Sequence, residues 1–95
     1  MAIDVIGGKW KPLILRELKS GQKRYGDLQR RIPEVSQKVL TSQLRELERA
    51  GIVEREVHRE NVLRTMYSLT RYGATLRPAL KELARWGHRH QRRLR

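Results

Sequence analysis

The sequence predicts a mainly α-helical domain that carries one small β-hairpin. Apolar residues recur at helical spacing in four separate stretches, and the spacing changes to alternation over residues 53–69. Residues that favour turns, mainly glycine and proline, separate these stretches. A chain of 95 residues suits a single domain, residues 1–95, whose core is just large enough to fold alone.

The first two helices are short because proline and glycine limit them. Pro12 suits the first turn of a helix, and Gly21 suits its end. The apolar face of this helix consists of Trp10, Leu13, Ile14 and Leu18. In KRYGDLQRRIP, Pro33 disfavours helix at the preceding residue, so the second helix ends early. Its apolar face consists of Tyr25, Leu28 and Ile32.

The third helix, about residues 36–50, has clear signals at both ends. Ser36 is a good N-cap, since its hydroxyl can accept a hydrogen bond from an unpaired backbone N–H of the first turn. Gly51 stands where a left-handed C-terminal cap is expected. The face predicted to enter the core consists of Leu40, Leu44 and Leu47.

The last third of the chain predicts a hairpin and a long helix. IVEREVHR and LRTMYSLT alternate at period two and are joined by the polar residues around ENV, so residues 52–69 are predicted to form two paired strands. A helix over about residues 70–93 follows, in which Pro78 should kink or split the chain. Its stripe is too apolar for so small a domain to cover, which indicates a dimer surface made of Leu76, Leu80, Leu83 and Trp86.

Charge points to a polyanionic partner. Twenty-two Lys and Arg face ten Asp and Glu, for a formal net charge of +12. Such an excess attracts nucleic acid first and an anionic membrane surface second. No apolar run approaches a membrane span, and the start is no signal peptide, so we expect a cytoplasmic protein without a membrane partner. The absence of cysteine excludes disulfides and thiolate metal sites in this sequence.

The order of these elements predicts a winged helix-turn-helix: a three-helix core, a hairpin as the wing, and a long C-terminal dimerisation helix. Two short helices meet at a tight turn, and the second one has a polar face. That face has no carboxylate before Glu46. Gln37 and Arg45 can make bidentate contacts to base edges, while Thr41 and Ser42 suit phosphate. The DNA-binding residues predicted on this face are Ser36, Gln37, Lys38, Thr41, Ser42 and Arg45.

Further basic residues flank this helix. Arg24 and Arg31 lie beside the first helix of the motif, which commonly contacts the DNA backbone. Arg59 or Arg64, near the hairpin tip, is predicted to enter the minor groove. For all these residues an ordinary solvated surface is the alternative interpretation.

Several stretches together resemble the HxlR-type family of bacterial transcription regulators. DVIGGKWKPLIL is similar to the family's opening signature, and the match continues in RYGDLQRRIPEVSQKVLTSQLRELERAGIVER, YSLTRYGATLRPAL and WG. The resemblance implies a homodimer that binds operator DNA through the helix 36–50, with terminal helices, including Ile3 and Ile6, in the dimer interface. Family members often respond to electrophiles, oxidants or small phenolics, which implies an inducer of unknown identity.

Two departures from the family pattern matter. Redox-sensing members often carry a cysteine just before the opening signature, and this sequence contains none. A thiol switch is therefore excluded for these residues. The family wing usually contains prolines, whereas HRENVLRTMYSLT has none.

Other functions remain as alternatives. The main one is a basic RNA-binding or ribosome-associated winged helix without a regulatory ligand, and a third is a protein-interaction winged helix. An enzyme is the least supported class, because no nucleophile, phosphate loop or paired carboxylate set stands out. His88 and His90 are too few for a metal site, and no cofactor is expected.

Overall fold

A computed structural model describes residues 9–59 and 63–94. Ile3 and Ile6, like the hairpin tip at residues 60–62, lie outside the described residues. The elements in chain order are α1 (Lys11–Leu18), β1 (Lys23–Arg24), α2 (Tyr25–Arg31), α3 (Gln37–Arg49), β2 (Val53–Arg59), β3 (Leu63–Leu69), a 3₁₀ helix (Gly73–Leu76) and α4 (Arg77–Leu94). The mainly α-helical fold with a hairpin is confirmed, while the assignment of residues 1–95 to one domain stays a prediction.

The core forms where the apolar faces of the helices meet the sheet. The predicted core face of α3 is confirmed, since all three of its leucines are buried. Burying such apolar side chains removes them from water, which is the main favourable contribution to folding. The buried core consists of Ile14, Leu15, Leu18, Leu28, Ile32, Val35, Leu40, Leu44, Leu47, Ile52, Val53, Tyr67 and Leu80.

Both ends of α3 are capped by the predicted residues. The Ser36 hydroxyl oxygen accepts a hydrogen bond from the backbone N–H of Val39 at 3.1 Å. Gly51 has a φ of +75°, and the N–H of Ile52 donates to the carbonyl oxygen of Leu47 at 3.0 Å. This is the pattern of a Schellman cap, which satisfies carbonyl groups that the end of a helix leaves unpaired. The caps fix where α3 begins and ends.

Replacing Ser36 by alanine should lower the free energy of unfolding by about 1 kcal/mol, because the backbone N–H of Val39 would lose its acceptor. Urea unfolding followed by circular dichroism measures the change. Ser42→Ala is the matched control, since Ser42 is exposed within the same helix and alanine is at least as good a helix former. Equal losses in both variants would contradict a capping role for Ser36.

The sheet contains a strand that the sequence does not predict. β2 and β3 form the expected antiparallel hairpin, in which Arg55 lies opposite Tyr67. β1 adds to the other side of β3, with Lys23 opposite Tyr67 and Arg24 opposite Met66. The strand order β1-β3-β2 therefore makes β3 central. Two residues are too short to show an alternating pattern, which is why β1 has no signal in the sequence.

The predicted break at Pro78 is confirmed and changes the interpretation of the last helix. The chain forms the 3₁₀ helix first, and α4 starts at Arg77, with Pro78 as its second residue. Leu80 is only 7% exposed and belongs to the core of its own chain, and Leu76 packs against that core. Leu80 thus has little surface left for a partner, and the dimer interface stays a prediction. Leu83 and Trp86 are 44% and 56% exposed.

Candidate nucleic-acid interface

The outer face of α3 is a continuous polar surface. Its apolar side is buried, so the opposite side must face solvent. A shallow depression along it is lined by Gln37, Lys38, Thr41, Ser42, Arg45 and Arg49. All of them are exposed except Thr41, which is partly buried. Arg49 was not among the predicted residues, although it follows Arg45 by four positions and so belongs to the same helical face.

Tyr25 connects the start of α2 to the first turns of α3. Its hydroxyl donates to the carbonyl oxygen of Gln37 at 3.0 Å and lies 3.0 Å from the hydroxyl oxygen of Thr41. These contacts set how α3 is presented relative to α2. They also engage the Thr41 hydroxyl, which we expected from the sequence to contact phosphate. Any contact of Thr41 with DNA would share that hydroxyl with Tyr25.

The two carboxylates of α3 are both paired with cations of other elements. Glu46 accepts a hydrogen bond from the ammonium group of Lys11 in α1 at 2.8 Å, and the Lys11 side chain is only 12% exposed. Glu48 lies 3.4 Å from the guanidinium of Arg55 in β2. Pairing therefore offsets the negative charges of the helix, and the outer face of α3 presents only neutral and cationic groups.

The hydrogen bond and charge of Lys11 hold the pKa of Glu46 below its ordinary value of 4.5. A carboxyl whose pKa is lowered by folding stabilises the fold above its ordinary pKa, and this contribution disappears as the pH falls through the folded pKa. We therefore expect part of the acid destabilisation below about pH 4.5 to come from Glu46.

Urea unfolding of the Glu46→Gln variant between neutral pH and about pH 3 tests this expectation. The variant should lose less stability on acidification than the wild type. Glu82→Gln, which removes an exposed carboxylate of α4, is the control and should keep most of the wild-type acid dependence. Equal acid dependence in Glu46→Gln and the wild type would contradict the assigned role of the pair.

A second basic surface runs along the hairpin, from its middle towards its tip. Arg24, Arg55 and Arg64 line an open groove together with Tyr25, Gly26, Thr65 and Tyr67. The groove arises because β1 stops at Arg24, so that Arg64 and Thr65 extend beyond the last β1–β3 residue pair. Tyr25 lines this groove and also donates a hydrogen bond to the first turn of α3, so it links the groove to that helix. Arg55 was not predicted, because alternation places it on the same side of its strand as Val53 and Val57.

The remaining residues that we predicted to contact DNA lie on several different elements. Arg31 is exposed but lies 3.6 Å from the carboxylate of Glu17 in α1, so it is already partnered within the chain. Arg59 and Arg64 are exposed at the far end of the hairpin, next to the undescribed tip. Ser36 is exposed at the start of α3 while its hydroxyl caps the helix.

Neither a metal-binding cluster nor a membrane-spanning helix occurs in the described part of the chain. Within residues 9–59 and 63–94, no group of three or more His, Asp or Glu side chains is placed to hold a metal ion. Among the helices described there, none has both the length and the apolar character that crossing a bilayer requires. The cytoplasmic location stays a prediction.

Two helices in tight succession, the second with an exposed basic face, and a hairpin directly after them define the winged helix-turn-helix class. The profile of the HxlR-like helix-turn-helix family matches residues 5–94. The chain belongs to this family of transcription regulators, and the resemblance noted from the sequence is confirmed.

Similar proteins agree with this assignment. The HTH-type transcriptional regulator YdeP of Bacillus subtilis (strain 168) is 41% identical over 92 residues, which cover 97% of this chain and 72% of YdeP. The structure of the redox regulator HypR in its reduced form superposes with a TM-score of 0.92 at 42% identity, over 98% of this chain and 92% of HypR. The reduced form of the transcriptional regulator YodB from B. subtilis superposes with a TM-score of 0.82 at 38% identity, over 90% of this chain and 83% of YodB.

Proposed function

We propose that this regulator binds an operator in duplex DNA as a homodimer, with α3 in the major groove and the β2–β3 hairpin beside the flanking minor groove. The single observation that carries the proposal is the outer face of α3. It is exposed, fixed at both ends by caps, and presents amide, hydroxyl and guanidinium groups while both carboxylates of the helix are paired elsewhere. Such groups suit phosphates and base edges.

The chemistry of each side chain suggests its role. Gln37 and Arg45 are the candidates for reading bases, since an amide fits adenine and a guanidinium fits guanine in bidentate geometry. Lys38, Ser42 and Arg49 suit the phosphates on either side of the groove. At the hairpin, Arg24 and Arg64 would continue the phosphate contacts from the groove that adjoins α3, while Arg55 stays paired with Glu48. Arg59 or Arg64 would enter the minor groove.

A dimer is supported by the exposed apolar side chains of α4. Leu83 and Trp86 project beyond the core that buries Leu80, and their contact with a second copy would remove them from water. The terminal residues Ile3 and Ile6 are proposed to contribute to the same interface. A two-fold dimer presents two copies of α3, so its operator should be an inverted repeat with half-sites about 34 Å apart.

An inducer, if it acts on this protein, must use chemistry other than a thiol of these residues, because the sequence contains no cysteine. By comparison, the structurally similar protein HypR is a redox regulator. We propose that a signal reaches DNA by changing the separation of the two α3 helices through the α4 contacts. Structures with and without an effector in which this separation is unchanged would contradict the mechanism.

The test is selection from a pool of random duplex DNA at about 150 mM salt, with structured RNA as competitor. Recovery of an inverted repeat with half-sites about one helical turn apart is the expected result. Preference for RNA, or recovery of no motif, would overturn the proposal, and the first of these outcomes would favour an RNA-binding winged helix.

A further inference from the structure

The positive charge of this protein is concentrated away from α3. The helix α3 carries three Lys and Arg against two Glu, whereas α4 carries six Lys and Arg against one Glu. A net charge of +12 is costly through self-repulsion, and proposed base recognition by α3 accounts for little of it. The concentration of cations on α4 therefore needs its own explanation.

The cations of α4 lie mainly on one side of the helix. A shallow depression there is lined by Glu82, Arg85, His88, Arg89 and Arg92. Glu82 is the only carboxylate of α4, and its oxygen accepts a hydrogen bond from Arg85 at 2.9 Å. We define the α4 basic face as Lys81, Arg85, His88, Arg89 and Arg92, all of which are exposed. At 3.6 residues per turn, these five positions fall within an arc of about 100° and so lie on one side of the helix.

This face is separate from the apolar stripe of the same helix. Leu83 lies roughly opposite Arg85 and Arg92 around a helix of about 3.6 residues per turn. A dimer formed through Leu83 and Trp86 would leave most of the α4 basic face in solvent. The helix has 18 residues, so its cations form a line that extends over much of about 27 Å.

A linear polyanion fits a line of cations better than other partners do. An amphipathic helix binds a membrane by burying its apolar face in the lipid interface. Here Leu80 of the apolar stripe is buried in the core, and the exposed Leu83 and Trp86 are the proposed contacts with a second copy, so this stripe is not free to enter lipid in a packed dimer. Duplex DNA instead offers closely spaced phosphates that meet cations without requiring apolar contact.

We propose that the α4 basic face binds the phosphate backbone of duplex DNA without sequence preference, as a second surface in addition to the one on α3. The proposal rests on the proposed function in that duplex DNA is the partner. Lys81, Arg89 and Arg92 displace counterions from DNA, which adds affinity that falls steeply with salt. The arrangement separates base selection by α3 from general retention on DNA by α4.

The test compares the full-length wild type with the triple variant Lys81→Gln, Arg89→Gln and Arg92→Gln. Glutamine has a helix propensity close to those of lysine and arginine, so α4 should persist, which circular dichroism verifies. Binding to a short duplex of arbitrary sequence is measured from about 50 to 200 mM salt. The slope of log affinity against log salt should become shallower by about 0.9 for each phosphate that the variant no longer neutralises, and by at least about 2 in total.

A control variant removes the same charge elsewhere, at the exposed positions Arg16, Lys19 and Arg71, each changed to Gln. It should keep the wild-type slope. A triple variant of α4 with an unchanged slope, or a control whose slope falls as much, would overturn the inference. So would weaker binding to vesicles containing phosphatidylserine without any change in DNA binding, which would indicate a membrane partner instead.

Failure of this inference and failure of the proposed function can be told apart. If the wild type selects an inverted repeat and the α4 variant keeps both the wild-type salt dependence and the wild-type selectivity, only the proposal of a second DNA-binding surface is wrong. If the wild type selects no sequence but the α4 variant still has a shallower salt dependence, the second surface stands and the operator proposal is wrong.

Discussion

Replacing Gly73 by alanine should lower the free energy of unfolding by about 2–4 kcal/mol. A Cβ added at Gly73 would lie 2.0 Å from the carbonyl oxygen of Ile52 and 2.9 Å from its carbonyl carbon. Both are backbone atoms, so they cannot swing aside as the end of a side chain could. The 3₁₀ helix would have to move away from the end of α3.

The surrounding hydrogen bonds make such a movement costly. The Thr70 hydroxyl donates to the carbonyl oxygen of Gly51 at 2.6 Å and accepts from the backbone N–H of Gly73 at 2.8 Å. The backbone N–H of Thr70 donates to the carbonyl oxygen of Ile52 at 3.0 Å. One junction thus joins the end of α3, the end of β3 and the start of the 3₁₀ helix. Displacing any of them exposes polar groups that are now paired.

Gly87→Ala is the matched control for this prediction. Gly87 lies in the middle of α4, and no atom comes within 4 Å of a Cβ added there. Alanine should stabilise the helix by about 0.5–1 kcal/mol, since it loses less backbone freedom on folding than glycine does. Urea unfolding of both variants measures the two changes, which should have opposite signs. A neutral Gly73→Ala variant would show that the junction is not as tight as described.

Replacing Arg45 by alanine should weaken binding to the selected operator by about 1–3 kcal/mol, or roughly 5- to 150-fold. Arg45 is exposed in the third turn of α3, and its guanidinium is the group on that face best suited to guanine. Its removal should also relax selectivity at one base pair of each half-site. Titrations against the operator and against single-base variants of it measure both effects.

Lys38→Ala provides the comparison, because a phosphate contact carries no sequence information. It should weaken binding to the operator and to a scrambled duplex by a similar factor and leave the selectivity intact. If Arg45→Ala behaved in the same way, Arg45 would be a phosphate contact. If Arg45→Ala left operator affinity unchanged, the outer face of α3 would not be the surface that reads DNA.

The features that follow from neighbouring residues are predicted well by the sequence. The caps of α3 at Ser36 and Gly51 are confirmed, because capping depends on one side chain or one φ angle near the helix end. Alternation predicts the hairpin, and the missing N–H of proline predicts the break near Pro78. The buried leucines of α3 follow from helical periodicity alone.

The features that depend on residues far apart in the chain are not predictable in this way. Lys11 reaches Glu46 across 35 positions, and this pair helps to ensure that the polar face of α3 presents no free carboxylate. Tyr25 engages the hydroxyl of Thr41, which changes what Thr41 can offer to DNA. Neither contact produces a periodic pattern in the sequence, because each depends on how two helices pack.

For Leu80, the sequence determines one property and the tertiary structure determines another. The sequence determined that Leu80 is apolar and lies on a stripe of α4 together with Leu83 and Trp86. Only the tertiary structure decided that Leu80 fills the core of its own chain while the other two stay exposed. Local chemistry sets propensity, capping and charge, because those act over a few residues. The packing of helices against the sheet then determines which apolar and charged groups remain at the surface.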